Sequence, residues 1–393
     1  MLQISGNNKF CQINEDISKK NSKNEPIIYP SYTSSFSATS LLSYSICFDH
    51  AVVISKKGII QGVGDNSNHQ IWDSLPKEVL KKWTQFEIQD IYGNSYNPLS
   101  AVCGYDNTLY MAQKQDDDSV HLFYIRSGKN YGIPLLLNTK NRKPIAIYGG
   151  LTTAAAIDSN GSILFINDKV FKDIDNEPQI GSLPNDEIAI SLACCDECVF
   201  ALSLSGSVYK SERNSNGLIF MEVFELKKFK IINISGISGQ CLAVSDEGKV
   251  YGQGKANVIG IKSKQETIDQ FTVIKELSSY KIKAAYAGTM HSLYQAISGK
   301  IISCGNKDTG ALLIEGPLND EYTPTPVETI IKSNAKFCIA GVGVSAVFVN
   351  CEIPKNCPNQ PTQKVENTLD KDAGDKEGEN DQNSEKSKCC ILI

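Results

Sequence analysis

The chain has 393 residues, 41% of them hydrophobic and 21% charged, with a formal net charge of −5. That is the composition of a globular protein, long enough for a large buried core and too long for one ordinary two-layer domain, so several domains or one repeat array are expected. The acidic balance offers no basic footprint, and no direct nucleic-acid binding is expected. No segment reaches the roughly 18–20 consecutive apolar residues of a spanning helix; the best run, Cys338 to Val349, is broken by Gly341 and Gly343. The 13 cysteines do not read as a disulfide scaffold: Cys103, Cys241, Cys304 and Cys338 sit in apolar runs, where a thiol behaves as a small hydrophobe. The start, Met1 to Asn7, lacks the basic and apolar regions of a signal peptide, and a reducing cytoplasmic setting is expected.

One phrase recurs along the chain: an apolar, β-rich run, a turn, and a second apolar run. Its copies are Val52 to Ile60, Ala101 to Tyr110, Ala155 to Phe165, Phe200 to Tyr209, Leu242 to Tyr251 and Tyr294 to Ile302, with a half-copy at Ser345 to Asn350. The turns carry Gly58, Gly161, Gly206, Gly248 and Gly299, and Asn107 in the second copy. Glycine, with asparagine as its usual substitute, suits a backbone that needs positive φ. Each copy therefore reads as a β-hairpin. Spacings of roughly 40 to 55 residues are those of four-stranded propeller blades.

A second phrase follows several hairpins: Gly64-Asp65-Asn66, Gly254-Lys255-Ala256-Asn257 and Gly305-Asn306-Lys307. It also occurs at the start of the chain, in Leu2 to Asn8, without a hairpin before it, whereas the half-copy near Ser345 lacks it. The two ends read as complementary halves of one blade, which closes the ring and removes exposed edges. The expected fold is all-β: a seven-bladed propeller over residues 1–357, with segment 1–46 completing the last blade.

These repeats resemble those of the regulator of chromosome condensation family. The phrase Gly288-Thr289-Met290-His291-Ser292-Leu293, running on to Gly299, Cys304 and Gly305, matches most of that family's repeat. His50, eight residues before Gly58, occupies the slot that His291 holds before Gly299, and Thr153, Cys198 and Gln240 fill it elsewhere. The resemblance covers about residues 1–350 and implies a propeller that acts by protein contact. The family's exchange activity on a small GTPase needs no covalent chemistry, so neither a catalytic residue set nor a cofactor is expected. In that family the slot faces the propeller core, and His50 and His291 are read as structural groups bonded to backbone of the next blade.

Other motifs read as structural. Cys195-Asp196-Glu197-Cys198 lacks the second pair that a zinc site needs, Cys351 and Cys357 being far away in sequence, and it reads as a reduced cluster. Gly341 to Ala346 imitates a dinucleotide fingerprint but runs into strand residues rather than a helix. The basic stretches Lys77 to Trp83 and Leu226 to Lys230 read as solvated edges, and Trp72 and Trp83 as packing between blades. A loop able to enter a partner's site would come from an insertion, for which Glu212 to Glu225 and Lys262 to Ile274 are the candidates.

Residues 358–388 carry almost no large apolar side chain and cannot bury enough surface to fold, so a flexible tether is expected over 358–393. Its end, Cys389-Cys390-Ile391-Leu392-Ile393, contains a C-a-a-X prenylation box at Cys390, with Cys389 as a candidate for palmitoylation. The expected localisation is peripheral, on a cytoplasmic membrane face through that lipid; without the lipid, the chain is a soluble cytoplasmic propeller. The expected function is a membrane-tethered, protein-binding propeller that regulates a small GTPase, with a non-catalytic scaffold as the alternative.

Overall fold

A computed structural model describes residues 2–6, 29–33, 40–105, 107–126, 134–167, 177–214, 217–307, 310–314, 322–332 and 334–349. They form seven antiparallel sheets, each ordered from an inner to an outer strand. Blade one is Leu41–Ile46, His50–Ser55, Ile60–Asp65 and Val79–Phe86. Blade two is Ser95–Cys103, Asn107–Lys114, Val120–Arg126 and Leu135–Leu136, with Ile88–Gln89 added inside its first strand. Blade three is Pro144–Gly149, Thr153–Asp158, Ile163–Asn167 and Gln179–Gly181, and blade four is Ala189–Cys194, Val199–Ser203, Val208–Asn214 and Gly217–Glu222. Blade five is Ile231–Ile237, Gln240–Ser245, Val250–Lys255 and Thr267–Val273, and blade six is Ile282–Ala287, His291–Ala296, Ile301–Asn306 and Tyr322–Glu328.

Blade seven is made from both ends of the chain. Ala335–Ala340 and Val344–Val349 supply its inner strands, Leu2–Gly6 the third and Tyr29–Thr33 the outer one. Leu2–Gly6 runs antiparallel to Val344–Val349, with Leu2 opposite Phe348 and Gly6 opposite Val344. Leu2 and Ile4 are buried. Of the described residues of segment 1–46, these two strands belong to the last blade and Leu41–Ile46 opens the first, because its strand pairs with His50–Ser55.

The core lies between blades rather than within them. Trp72 shows how: its indole stacks on Phe86 of its own blade at 5.7 Å and meets Tyr110 and Phe123 of blade two edge-on. Similar apolar clusters join each pair of neighbours, and the one at the closure brings Leu2, Tyr44, Tyr286, Phe337 and Phe348 together. The innermost strands have amide groups with no lateral strand partner, and buried polar side chains satisfy them. Ser45 Oγ accepts from Cys103 N at 2.9 Å, Asn233 Oδ1 from Ala285 N at 2.8 Å and Ser235 Oγ from Ala287 N at 3.0 Å. Every first strand also carries a register shift near its start, as between Leu41 and Ser43 or Ile282 and Ala284. A bulge there adds local twist where strands crowd towards the axis.

The hairpin turns are tight and similar. In blade one Gly58 N donates to Ser55 O at 2.9 Å, Ser55 N to Ile59 O at 2.9 Å, and Gly58 has φ +78. This is a type I turn closed by a residue in the left-handed region. Gly161, Gly206, Gly248 and Gly299 have φ between +77 and +95. Asn107 does not belong to this set. It opens the second strand of blade two, and Gly104 N donates to its carbonyl at 2.8 Å. The corresponding turn lies at Asp118, φ +58, and Met111-Ala112-Gln113 belongs to the second strand.

Candidate functional site

The turn between the first and second strands of each blade ends in one slot residue. The amide three residues earlier donates to the slot carbonyl at His50, Asn107, Thr153, Cys198, His291 and Val344, and Gln240 pairs with Ile237 in the same way. In blades one, two, three, five and six the slot side chain bridges to the next blade. Asn107 Nδ2 donates to Leu151 O at 3.2 Å, Thr153 Oγ1 to Cys195 O at 3.0 Å, and Gln240 Nε2 to Thr289 O. The two histidines reach side-chain hydroxyls rather than the backbone expected for them. His50 Nε2 lies 2.8 Å from Thr108 Oγ1, and His291 Nε2 lies 2.8 Å from Ser345 Oγ.

Their surroundings set opposite charge states. Thr108 Oγ1 donates to Gln70 O at 2.7 Å, so its oxygen accepts from His50 Nε2, while Nδ1 lies 2.6 Å from the Asp49 carboxylate. Both ring nitrogens are then donors, the imidazolium arrangement. Burial alone pushes His50 down, but the Cys103 sulfur and the Asp49 carboxylate outweigh it and hold the ring at about 10. His291 is equally buried and Nδ1 has no hydrogen-bond partner, so burial pushes it down to about 4. Among the described residues, no group of three His, Cys, Asp or Glu side chains is placed to hold a metal.

A different feature marks the opposite face. The first strand of blade two has nine residues where the other blades use six or seven. Its extension pairs with Ile88–Gln89 as a short hairpin. Asp90 pins the intervening turn: Oδ1 accepts from Tyr92 N at 2.9 Å and Asn94 N at 3.0 Å, and Oδ2 from Asn94 Nδ2 at 2.7 Å and the Tyr96 hydroxyl at 3.0 Å. Burial pushes the Asp90 carboxyl up, but these bonds outweigh it and hold the carboxyl below its ordinary range. Gly93 completes the turn at φ +81. At the tip, Ile91 is 76% and Tyr92 82% exposed. Beside it stands the Asp116-Asp117-Asp118 turn, fixed by Gln115 N donating to Ser95 O at 3.1 Å.

The other sequence candidates fall on ordinary blade elements. Glu212 to Glu225 covers parts of the two outer strands of blade four and the turn after them, and Lys262 to Ile274 the outer strand of blade five. Neither is an insertion. Lys81 and Lys82 lie exposed on the outer strand of blade one, and Lys227 pairs with Glu222 at 3.2 Å. The hairpin at Ile88 escaped the sequence reading, although Tyr92-Gly93-Asn94 next to β-branched and aromatic residues is a turn signal. Cys351, Cys357, Cys389, Cys390 and the segment 358–393 lie outside the described residues.

Comparison with known proteins fits this architecture. Human WBSCR16 superposes with a TM-score of 0.71 at 14% identity, covering 90% of this chain and 99% of that one. Yeast RCC1 (Prp20), solved bound to Kap60, gives 0.66 at 14% identity over 88% of each chain. Prp20p from Saccharomyces cerevisiae, in a study of its binding to Gsp1p and histones, gives 0.65 at 14% identity over 88% of this chain and 90% of that one. At this identity the likeness establishes the seven-bladed fold. In sequence, 91 residues, 22% of the chain, are 33% identical to the E3 ubiquitin-protein ligase HERC2 of mouse and of human. The chain spans about 2% of the length of those relatives. No family model matches.

Proposed function

We propose that this chain is a protein-binding propeller that regulates a small GTPase by contact, with the blade-two hairpin as the element that enters the partner. The observation that carries this reading is the tip Ile91-Tyr92, two large apolar side chains held in solvent by a turn that Asp90 ties four times. A pre-ordered aromatic anchor binds without the entropy cost of ordering a loop. The carboxylates of Glu87, Asp90 and the Asp116 turn favour a partner site with a basic rim. The repeat resemblance gives the partner class, and the solved Prp20 is described with protein partners, Kap60, Gsp1p and histones.

The test is nucleotide release from purified small GTPases, with GTPases captured from lysate on the propeller as the panel. Release by the native chain, abolished in Ile91→Asp/Tyr92→Asp at an unchanged melting temperature, is the expected result. Capture without release would make the chain a scaffold, and capture and release unaffected by the double substitution would remove the hairpin from the mechanism.

The same reading holds the propeller at a cytoplasmic membrane face through a prenyl group on Cys390, with Cys389 as a second acylation site. It rests on the terminal box alone. One chain anchors marginally, so a second signal matters. Cys390→Ser is expected to move the protein to the soluble fraction, and a C-terminal peptide with unmodified Cys390 still followed by Ile391, Leu392 and Ile393 would exclude the anchor.

A further inference from the structure

We propose that Cys195 and Cys198 form a redox dithiol that closes to a disulfide across the turn entering the second strand of blade four. The turn has the needed geometry. Cys195 N donates to Cys198 O at 2.9 Å, continuing the pairing of Cys194 with Val199. Residues facing each other across an antiparallel ladder stand about 4.5–5.5 Å apart at Cα, within the roughly 4.4–6.8 Å that a disulfide spans. The thiols of Cys195 and Cys198 are close enough to hydrogen-bond to each other, and so are those of Cys195 and Cys241. Access distinguishes Cys198 from the other described cysteines. Those are buried, whereas Cys198 is partly exposed and lines a cleft with Asp196, Glu197, Lys210 and Gln253.

The dithiol also stands at a seam of the ring. In blade four the sulfur of Cys195, not the slot side chain, bridges to blade five, donating to Gln240 O at 3.3 Å. Gln240 in turn bonds Thr289 of blade six. With hydrogen peroxide as oxidant, the Cys198 thiolate attacks one peroxide oxygen, the O–O bond breaks, and a sulfenic acid forms while the departing hydroxide takes up the proton the thiol had lost and leaves as water. The Cys195 sulfur then attacks the sulfenic sulfur, its S–H proton leaves with the departing oxygen as a second water, and the S–S bond forms. The sum is two thiols and one peroxide to one disulfide and two waters. Closure removes the S–H donor, and with it the sulfur bond between blades four and five. Contact with the Cys195 thiol and burial hold Cys198 protonated well above its ordinary range, so closure is slow at neutral pH and its rate climbs about tenfold per pH unit.

The experiment treats the folded full-length chain with hydrogen peroxide, blocks free thiols with iodoacetamide and sequences the peptides by mass spectrometry. The expected product lacks two hydrogens, resists alkylation at Cys195 and Cys198, and is restored by dithiothreitol. It is expected to persist in Cys241→Ser and to disappear in Cys198→Ser, both compared at matched melting temperature. Full alkylation of both cysteines after peroxide, irreversible oxidation of Cys198 alone, or a bond from Cys195 to Cys241 would each overturn the assignment. Should the serine variants fail to fold, the peptide map of the native chain still decides among these products.

Discussion

His50 and His291 occupy one slot in two blades, yet their partners make one a cation and the other neutral. The difference gives opposite pH signatures. The folded value of His50 lies near 10, above its ordinary 6.5, so its contribution to stability is fully present below about pH 6.5 and is lost as the pH rises through 10. The folded value of His291 lies near 4, so its neutral form favours the fold above pH 6.5, and that support is lost as the pH falls through 4. The expected effects are of opposite sign and, for a full shift, on the order of 5 kcal/mol at His50 and 3 kcal/mol at His291. Chemical denaturation of His291→Gln, the residue that blade five uses, should show a flatter acid limb than the native chain, and His50→Gln a flatter alkaline limb. Identical pH profiles for the two variants would show that the slot environment does not set the charge.

At the level of the hairpin, two kinds of glycine are held by different forces. A Cβ on Gly58 meets nothing within 4 Å, so Gly58→Val tests backbone strain alone and is expected to cost about 1 kcal/mol. Gly58→Asn should cost less, since asparagine enters the left-handed region more readily. At Gly248 a Cβ would also stand 2.6 Å from Lys281 Cγ and 3.2 Å from Ile282 N, and Gly248→Val should lower the denaturation midpoint further than Gly58→Val. The glycine of the second phrase is fixed by contact: a Cβ on Gly305 would lie 2.4 Å from Met290 O and 2.5 Å from the His291 Cα. Even alanine is expected to be severe there. The phrase was legible because neither the turn nor the close approach has many chemical solutions. Blade two was misread for a related reason. An apolar run precedes both the slot and the hairpin turn, asparagine suits either, and the residue that takes positive φ is an aspartate in a run of three, which sequence presents as mere charge. The first-strand bulges leave no such mark, because crowding near the axis produces them rather than a residue type. The Ile88 hairpin was obscured because its signal interrupts the repeat period instead of repeating.

For the whole molecule, the decisive contact is the one that joins the two ends of the sequence. Closure was readable because an orphan phrase at the start complements a half-copy at residue 345, a relation of pattern that needs no knowledge of side-chain contacts. The boundary was not readable: Tyr29–Thr33 contributes the outer strand and Leu41–Ile46 starts the next blade, and no repeat separates them. Every other sheet is continuous in the chain, so only blade seven must draw on residues more than 300 positions apart. Pairing at such separation pays its loop entropy before it gains contacts, and it is expected to form late. Without Leu2–Gly6, Val344–Val349 becomes a bare apolar edge next to Phe337 and Phe348, an invitation to edge pairing between molecules. Deleting residues 1–6 is therefore expected to cause aggregation as well as a lower melting temperature. Ile4→Ala, which keeps the strand and empties part of the closure core, should cost about 2–5 kcal/mol and leave the protein monomeric. Light scattering during thermal unfolding separates the two. If the deletion melts as the native chain does and stays monomeric, the terminal strand does not close the ring; if Ile4→Ala aggregates as readily as the deletion, loss of the core rather than the open edge drives association.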